Sequence, residues 1–440
     1  MEKLAALVWG MPTMGLLLAV GIIFSIRTRF VQIRKLGASF RQVGSSLCGD
    51  RSSFQAVCTA LAGTVGTGNI AGVAGAIALG GPGAVFWMWM AAFFGMATKY
   101  AEVVLAMRHR EQKDGVYLGG PMYYIRRGMG PRWQFLAAVF AFFAAMSSLG
   151  MGNMVQIHTM TAAVRTAFPR ACPELTALGT GLAAALLTGM VTVGGVKRIG
   201  AIMEKLIPLA AGMYLFGAAA ILFVFRDRIG TVVLEIFRGA LRPEAVLGGG
   251  AGIGLREVVR WGVSRGVFSN EAGLGSAPMA HASAEAAPEQ QGLLGIFEVF
   301  LDTIVLCTLT ALAILVSDVP IRWGTAAGAE LAAAALETVF GSGGSIGLAA
   351  CLALLAQGTL MTWQLYGARC AGYLWGSRGE MAYNWIYLSV ILLGATMDLS
   401  AVWTLSDICN GLMCLPNLIA LLALRKQVAF RLDFPVTPSL

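Results

Sequence analysis

Long apolar runs alternate along this chain with short polar connectors. At about 20 apolar residues per membrane crossing, the pattern predicts eleven spans. They fall at about 8–27, 53–79, 83–107, 133–163, 174–195, 200–225, 256–284, 293–317, 345–374, 381–397 and 401–424. A basic connector through Arg34, Lys35 and Arg41 to Arg51 follows the first span, and Gly80-Gly81-Pro82-Gly83 makes a turn after the second. Trp87 and Trp89 read as interfacial anchors. A short surface helix is expected between Arg226 and Leu255. At the start, Glu2 precedes a single Lys3, and the apolar run continues into Arg27 and Arg29. That is the pattern of a first span, not of a cleavable signal.

Two spans are interrupted. In Ala60 to Ile77, Gly63, Gly66 and Gly68 crowd together with Thr64, Thr67 and Asn69, and no side chain is charged. Each glycine costs roughly 1 kcal/mol in a helix interior relative to alanine, so the cluster predicts a break. In hydrocarbon an unwound backbone survives only where protein buries it or where it lines a cavity. The alternative is a small-residue packing face. A second stretch, Gly262 to Pro278, is also interrupted by glycine and carries Asn270 and Glu271. Two broken segments at corresponding places in two halves point to a transporter binding site.

The basic residues give the topology. With the loop after the first span cytoplasmic, Arg27 to Arg51, Arg108 to Arg132, Lys197-Arg198, Arg378 and Arg425-Lys426 all fall inside. Arg165, Arg170, Arg228, Arg238 and Arg242 fall outside, so the bias is incomplete. One transmembrane domain over 1–440 is expected: a leading helix and connector (1–52), two five-helix repeats (53–226 and 227–425) and a tail (426–440). An odd number of helices per repeat inverts the second repeat in the membrane.

Composition agrees. The chain is 57% hydrophobic and 12% charged, with mean hydropathy +0.72, where a soluble domain is nearer a quarter charged. The net charge of +9 belongs to topology before nucleic-acid binding. Eight cysteines are scattered without paired spacing and read as small membrane-helix residues. The histidines His109, His158 and His281 do not cluster with metal ligands. No GxxxxGK[ST] run is present to bind a nucleotide. An ion gradient is the remaining energy source.

Polar residues within the spans are the candidates for chemistry. Asn69 at the first break contacts a zwitterion, caps the restarting half-helix, or both. Gln156 contacts substrate or makes an interhelical hydrogen bond. His158, two residues on, points elsewhere, as a proton sensor or a packed or pore-facing histidine. Glu271 beside Asn270 is an intramembrane carboxylate, which is rare and usually paired; Arg265 is one possible partner, in a salt bridge fixing the broken helix. Lys99 and Glu102 read as a structural pair. Thr359 and Thr362 put two hydroxyls within one turn, suited to a small hard cation or to bonding their own helix. Trp363 walls a pocket or fills the core.

At these residues the sequence resembles the alanine or glycine:cation symporter family, also called sodium:alanine symporters. The matching runs include Arg29 to Arg34, Thr59 to Val73, Gly80 to Gly83, Gly95 to Glu102 and Gly119 to Ile125. They continue with Ser264 to Pro278, Asp407, Asn410 to Met413 and Pro416 to Leu421. The resemblance implies an all-α, leucine-transporter-type fold of the amino acid–polyamine–organocation superfamily, working by alternating access. It implies a small neutral amino acid carried with Na+ or H+, and places Thr67, Gly68, Asn69, Gln156, Phe268 and Trp363 in the substrate site. Family members usually have Gln-x-Asn where this chain has Gln156-Ile157-His158. They usually have Phe-Ser-Thr, Gly-Trp and Tyr-Gly-Glu where it has Gln357-Gly358-Thr359, Thr362-Trp363 and Tyr366-Gly367-Ala368.

The sequence therefore predicts a secondary active transporter, not an enzyme, that imports alanine or glycine with Na+. Substrate is expected at Gly66, Thr67, Gly68, Asn69, Gln156, Phe268, Ser269 and Trp363, and Na+ at Gly63, Thr64, Val65 and Thr359. Asn270, Glu271, Arg265 and His158 are expected in gating or structural roles. No cofactor, nucleotide or nucleic acid is implied; the partners are the amino acid, Na+ and the lipid bilayer. The location is a bacterial-type inner (plasma) membrane, with the N-terminus outside and the C-terminus cytoplasmic. The alternatives are a proton-coupled symporter and a passive small-solute channel or facilitator.

Overall fold

The computed structural model describes residues 8–113, 115–242, 254–397 and 400–428. The readings on Glu2 and Lys3, and on most of the 426–440 tail, lie outside the described residues. The helices are α1 (Met11–Arg27), α2 (Leu36–Cys48), α3 (Arg51–Thr64), α4 (Ala71–Gly80), α5 (Ala84–Arg108), α6 (Gln134–Leu149) and α7 (Val155–Ala167). Then come α8 (Pro173–Thr192), α9 (Gly195–Val224), α10 (Ile229–Leu241), α11 (Leu255–Asn270), α12 (Pro278–His281) and α13 (Pro288–Val299). α14 (Thr308–Val316), α15 (Ala329–Phe340), α16 (Ser342–Thr396) and α17 (Ser400–Leu424) complete them. A hairpin, β1 (Glu111–Lys113) against β2 (Val116–Leu118), follows α5 and marks one face of the molecule.

Seven described helices are long and apolar enough to cross a membrane, or eight when a bent pair counts as one span. The eleven spans read from sequence exceed this for three physical reasons. α1 has only 17 residues. α11 is short and carries Arg256, Glu257, Arg260 and Arg265. α16 runs through two expected spans without a loop. It is nevertheless folded in two at Gly376, whose φ of 70° is left-handed. Gln364 Nε2 donates to Asn384 Oδ1 at 2.5 Å, and Tyr387 OH donates to the Leu360 carbonyl at 2.9 Å. A straight helix would hold residues 20 apart at about 30 Å.

The first break lies where the glycines place it. Asp50 caps α3 by accepting from the Ser53 amide at 3.2 Å, and the helix ends at Thr64. After Val65 and Gly66 a single tight turn, Thr67–Asn69, leads into α4 at an angle of 54°. The second break falls within the expected stretch, beside Asn270 and Glu271. Gly262 and Gly266 remain helical, because their bare faces take close contact with α5; a Cβ on Gly262 would lie 2.4 Å from the Ala84 carbonyl oxygen. The chain unwinds instead at Glu271, with φ of 56°, through Gly273 and Gly275 to Pro278. The expected surface helix is α10.

Where α5 starts, backbones touch: a Cβ on Gly83 would lie 2.1 Å from the Gly239 carbonyl carbon of α10. Gly83→Ala therefore lowers stability by about 1–3 kcal/mol, the usual cost of overpacking. Thermal unfolding in detergent, beside Gly212→Ala where nothing lies within 4 Å, reads the difference directly.

Candidate functional site

The two breaks meet, and the residue that joins them was not singled out from sequence. Asp302 sits fully buried in the π-helical stretch Phe300–Cys307 that joins α13 to α14 in one span. Asn69 donates from Nδ2 to Asp302 Oδ1 at 2.6 Å and to the Asp302 carbonyl at 3.1 Å. Ser269 donates from Oγ to Asp302 Oδ2 at 2.9 Å, and Thr303 to the same oxygen at 2.7 Å. No described basic side chain pairs with this carboxylate. Its signal in sequence was a lone acid inside the apolar run Val299 to Val316.

Asn69 also acts locally. Its Oδ1 accepts from the Gly66 amide at 2.9 Å, so one side chain closes the break and reaches across to Asp302. Gln156 accepts from the Thr67 amide at 3.3 Å and donates to the Met151 carbonyl at 3.1 Å. The Thr67 hydroxyl is buried with no partner. Gly68 lies against Phe268; a Cβ there would meet the ring at 3.4 Å. Gly63, Thr64, Val65, Gly66 and Ser269 are all buried around this point.

Trp363 lies on Gly152, where a Cβ would sit 2.2 Å from the Trp363 Cβ. Its indole donates to Glu271 Oε1 at 2.9 Å, and the Ser276 hydroxyl donates to Glu271 Oε2. Glu271 is thus held by neutral donors, and the expected partner Arg265 pairs instead with Asp407 at 3.8 Å. Asn270 bonds Thr303 and caps the Ala272 amide. Thr359 donates to the Ala62 carbonyl at 2.9 Å, and Thr362 to the Thr59 carbonyl at 3.2 Å, so both hydroxyls reach across to α3.

Gln357 faces away from the break, donating to Thr188 Oγ1 of α8 at 2.8 Å. Gln357→Leu therefore costs about 1 kcal/mol of stability. A melting curve beside the unmodified protein checks it.

A cavity of about 510 Å³ opens beyond α4, α7 and α15. His158, Arg265 and Trp261 line it. The Arg265 guanidinium stands 5.2 Å from the Trp261 ring and 5.5 Å from the Phe268 ring, on the floor between this vestibule and the break. Toward the hairpin face lies a fully buried polar layer. Lys99 pairs not with Glu102, as the spacing suggested, but with Glu298 at 3.2 Å. Glu298 also meets His281 at 2.9 Å. Glu102 accepts from the Gly273 amide at 3.1 Å and from Asn417 at 2.5 Å. A residue three positions along reaches the same helix face, but each charge here finds its partner on another segment.

A family model described as the sodium:alanine symporter family matches residues 1–433. The sodium/alanine symporter AgcS of Methanococcus maripaludis is 43% identical over 96% of this chain and 93% of its own. An uncharacterized transporter of Haemophilus influenzae is 41% identical, covering 97% of this chain and 94% of its own. Among solved structures, MhsT in complex with L-phenylalanine superposes with a TM-score of 0.59 at 13% identity, over 83% of this chain and 88% of that one. That likeness carries the fold alone. Matched over nearly its whole length, the chain belongs to the sodium:alanine symporter family, and is a multi-pass membrane transporter of the symport class, not an enzyme.

Proposed function

We propose that this protein couples the entry of a small neutral amino acid, alanine or glycine, to Na+ by alternating access. The observation that carries the reading is the junction of both breaks at Asp302, through Asn69 of the first and Ser269 of the second. A buried carboxylate ringed by neutral donors calls for a counter-cation. The Thr67 hydroxyl and Gln156 offer donors to the substrate carboxylate. The face of Phe268 and the carbonyl end of α11 near Ser269 suit its ammonium. Trp363 against Gly152 leaves little room for a long side chain.

Na+ is assigned to two places. One is the carbonyl group of Gly63, Thr64 and Val65 with the Thr359 hydroxyl, as the sequence suggested. The other is Asp302, which supplies the negative charge that the first lacks. Eleven crossings in two inverted repeats remain the favoured architecture. The eight spans recognised by length and composition are joined by α1, by the broken α11–α12 segment and by the second limb of α16. The hairpin face, rich in arginine and lysine, is cytoplasmic, and the vestibule opens to the outside.

The test is uptake of radiolabelled alanine and glycine into proteoliposomes under an inward Na+ gradient, and separately under a proton gradient. Accumulation that needs Na+ supports the reading. Accumulation driven only by protons supports a proton-coupled symporter. Equilibration without accumulation under either gradient supports a passive facilitator.

A further inference from the structure

Arg369 is 6% exposed and lies in the first limb of α16, three residues beyond Tyr366. Its Nη1 donates to the Met279 carbonyl of α12, while Nη2 is buried with no partner. No described carboxylate forms an ion pair with it. The Tyr366 hydroxyl, also fully buried, has no partner either. It lies beside the first break, since a Cβ on Gly63 would stand 3.3 Å from it. Two turns on, the Tyr373 hydroxyl is buried as well, and the Arg126 guanidinium stands 5.5 Å from the Tyr373 ring. Arg126 in turn pairs with Glu111 of the hairpin.

These positions, at i, i+3 and i+7, share one face of the helix. They form a line of donors from the first break to the hairpin face. A buried guanidinium with both Nη2 hydrogens unmatched is costly and keeps part of its planar fork ready for a carboxylate. Met279 and Cys370 beside it offer sulfur and apolar surface, which do not suit a hard cation. We propose that Tyr366 and Arg369 form a carboxylate-binding station on the hairpin side of the breaks, which takes the amino acid's carboxylate as it leaves the central site. This rests on the functional reading above, which supplies the carboxylate.

The experiment uses alanine transport in right-side-out and inside-out membrane vesicles carrying the full chain, so that each face meets substrate in turn. In Arg369→Gln the half-saturating alanine concentration at the hairpin face rises about tenfold or more, the loss of a charge-assisted hydrogen bond. At the vestibule face it stays within about twofold, Arg369→Lys is intermediate, and Tyr366→Phe gives a smaller rise on the hairpin face alone. An unchanged hairpin-face value, whatever happens to the rate, overturns the station and leaves Arg369 a latch on the Met279 carbonyl. Equal rises at both faces overturn it as well. Should Arg369→Gln fail to reach the membrane, Tyr366→Phe decides on the same readout. Failure of the unmodified protein to move alanine overturns the functional reading, and the station with it; loss of the asymmetry alone overturns only the station.

Discussion

Asp302→Asn removes Na+-driven accumulation, with uptake efficiency falling at least about 100-fold, the range for deleting one member of a buried hydrogen-bonded charge pair. The replacement has nearly the same shape. Its amide keeps an acceptor for Asn69, and the Ser269 and Thr303 hydroxyls can rotate to accept from the new NH2 group. What disappears is the negative charge that bridges Asn69 and Ser269. On the proposed assignment of Na+ to this carboxylate, the variant folds and reaches the membrane but loses its coupling ion. Initial uptake rates against Na+ concentration, with melting curves on the same preparation, separate the two effects. A variant that keeps its Na+ dependence would place the only coupling ion among Gly63, Thr64, Val65 and Thr359.

Gly66→Ala abolishes uptake without unfolding the protein, a loss of more than about 100-fold. The added Cβ would lie 2.6 Å from Thr359 Oγ1 and 3.2 Å from Gln156 Oε1. One methyl group thus displaces both the hydroxyl that bonds the Ala62 carbonyl and the amide that holds Thr67. Gly72→Ala is the contrast. Six residues along, with nothing within 4 Å of its Cβ position, it leaves uptake within about twofold. Equal losses from both substitutions, measured at matched expression, would show that the break tolerates no alanine anywhere and that the contact with Thr359 is not what matters.

The first break was legible because three glycines within six residues have no other economical use in an apolar span. The second falls beside Asn270 and Glu271, inside the stretch read as interrupted, though not at its first glycines. Gly262 and Gly266 look like helix breakers in one dimension, yet they serve contact with α5, and the unwinding falls at Glu271, where Gly273 and Gly275 take positive φ. Pairings failed for a related reason. Lys99 and Glu102 share a helix face, but burial on all sides let Glu298 come closer, and Arg265 found Asp407 from a segment 142 positions away. Asp302 was missed because no glycine or motif marks it, only its charge in an apolar run. Gln357 stands in a run that departs from the family pattern, and its bond to Thr188 shows that it faces α8.

The outer helices carry a mechanical consequence. α9 has 30 residues, and only a third of its most apolar window is buried. At 1.5 Å per residue it is about 45 Å long, against a hydrocarbon thickness of about 30 Å. It must therefore lean or protrude, and the lean follows the thickness of the lipid around it. Glu204 on that helix grips Arg51 at 2.5 Å and Gln55 at 3.0 Å, in the first two turns of α3. The helix that meets the lipid is thereby tied to the limb that ends at the first break, so a change in its lean is felt first at the start of α3.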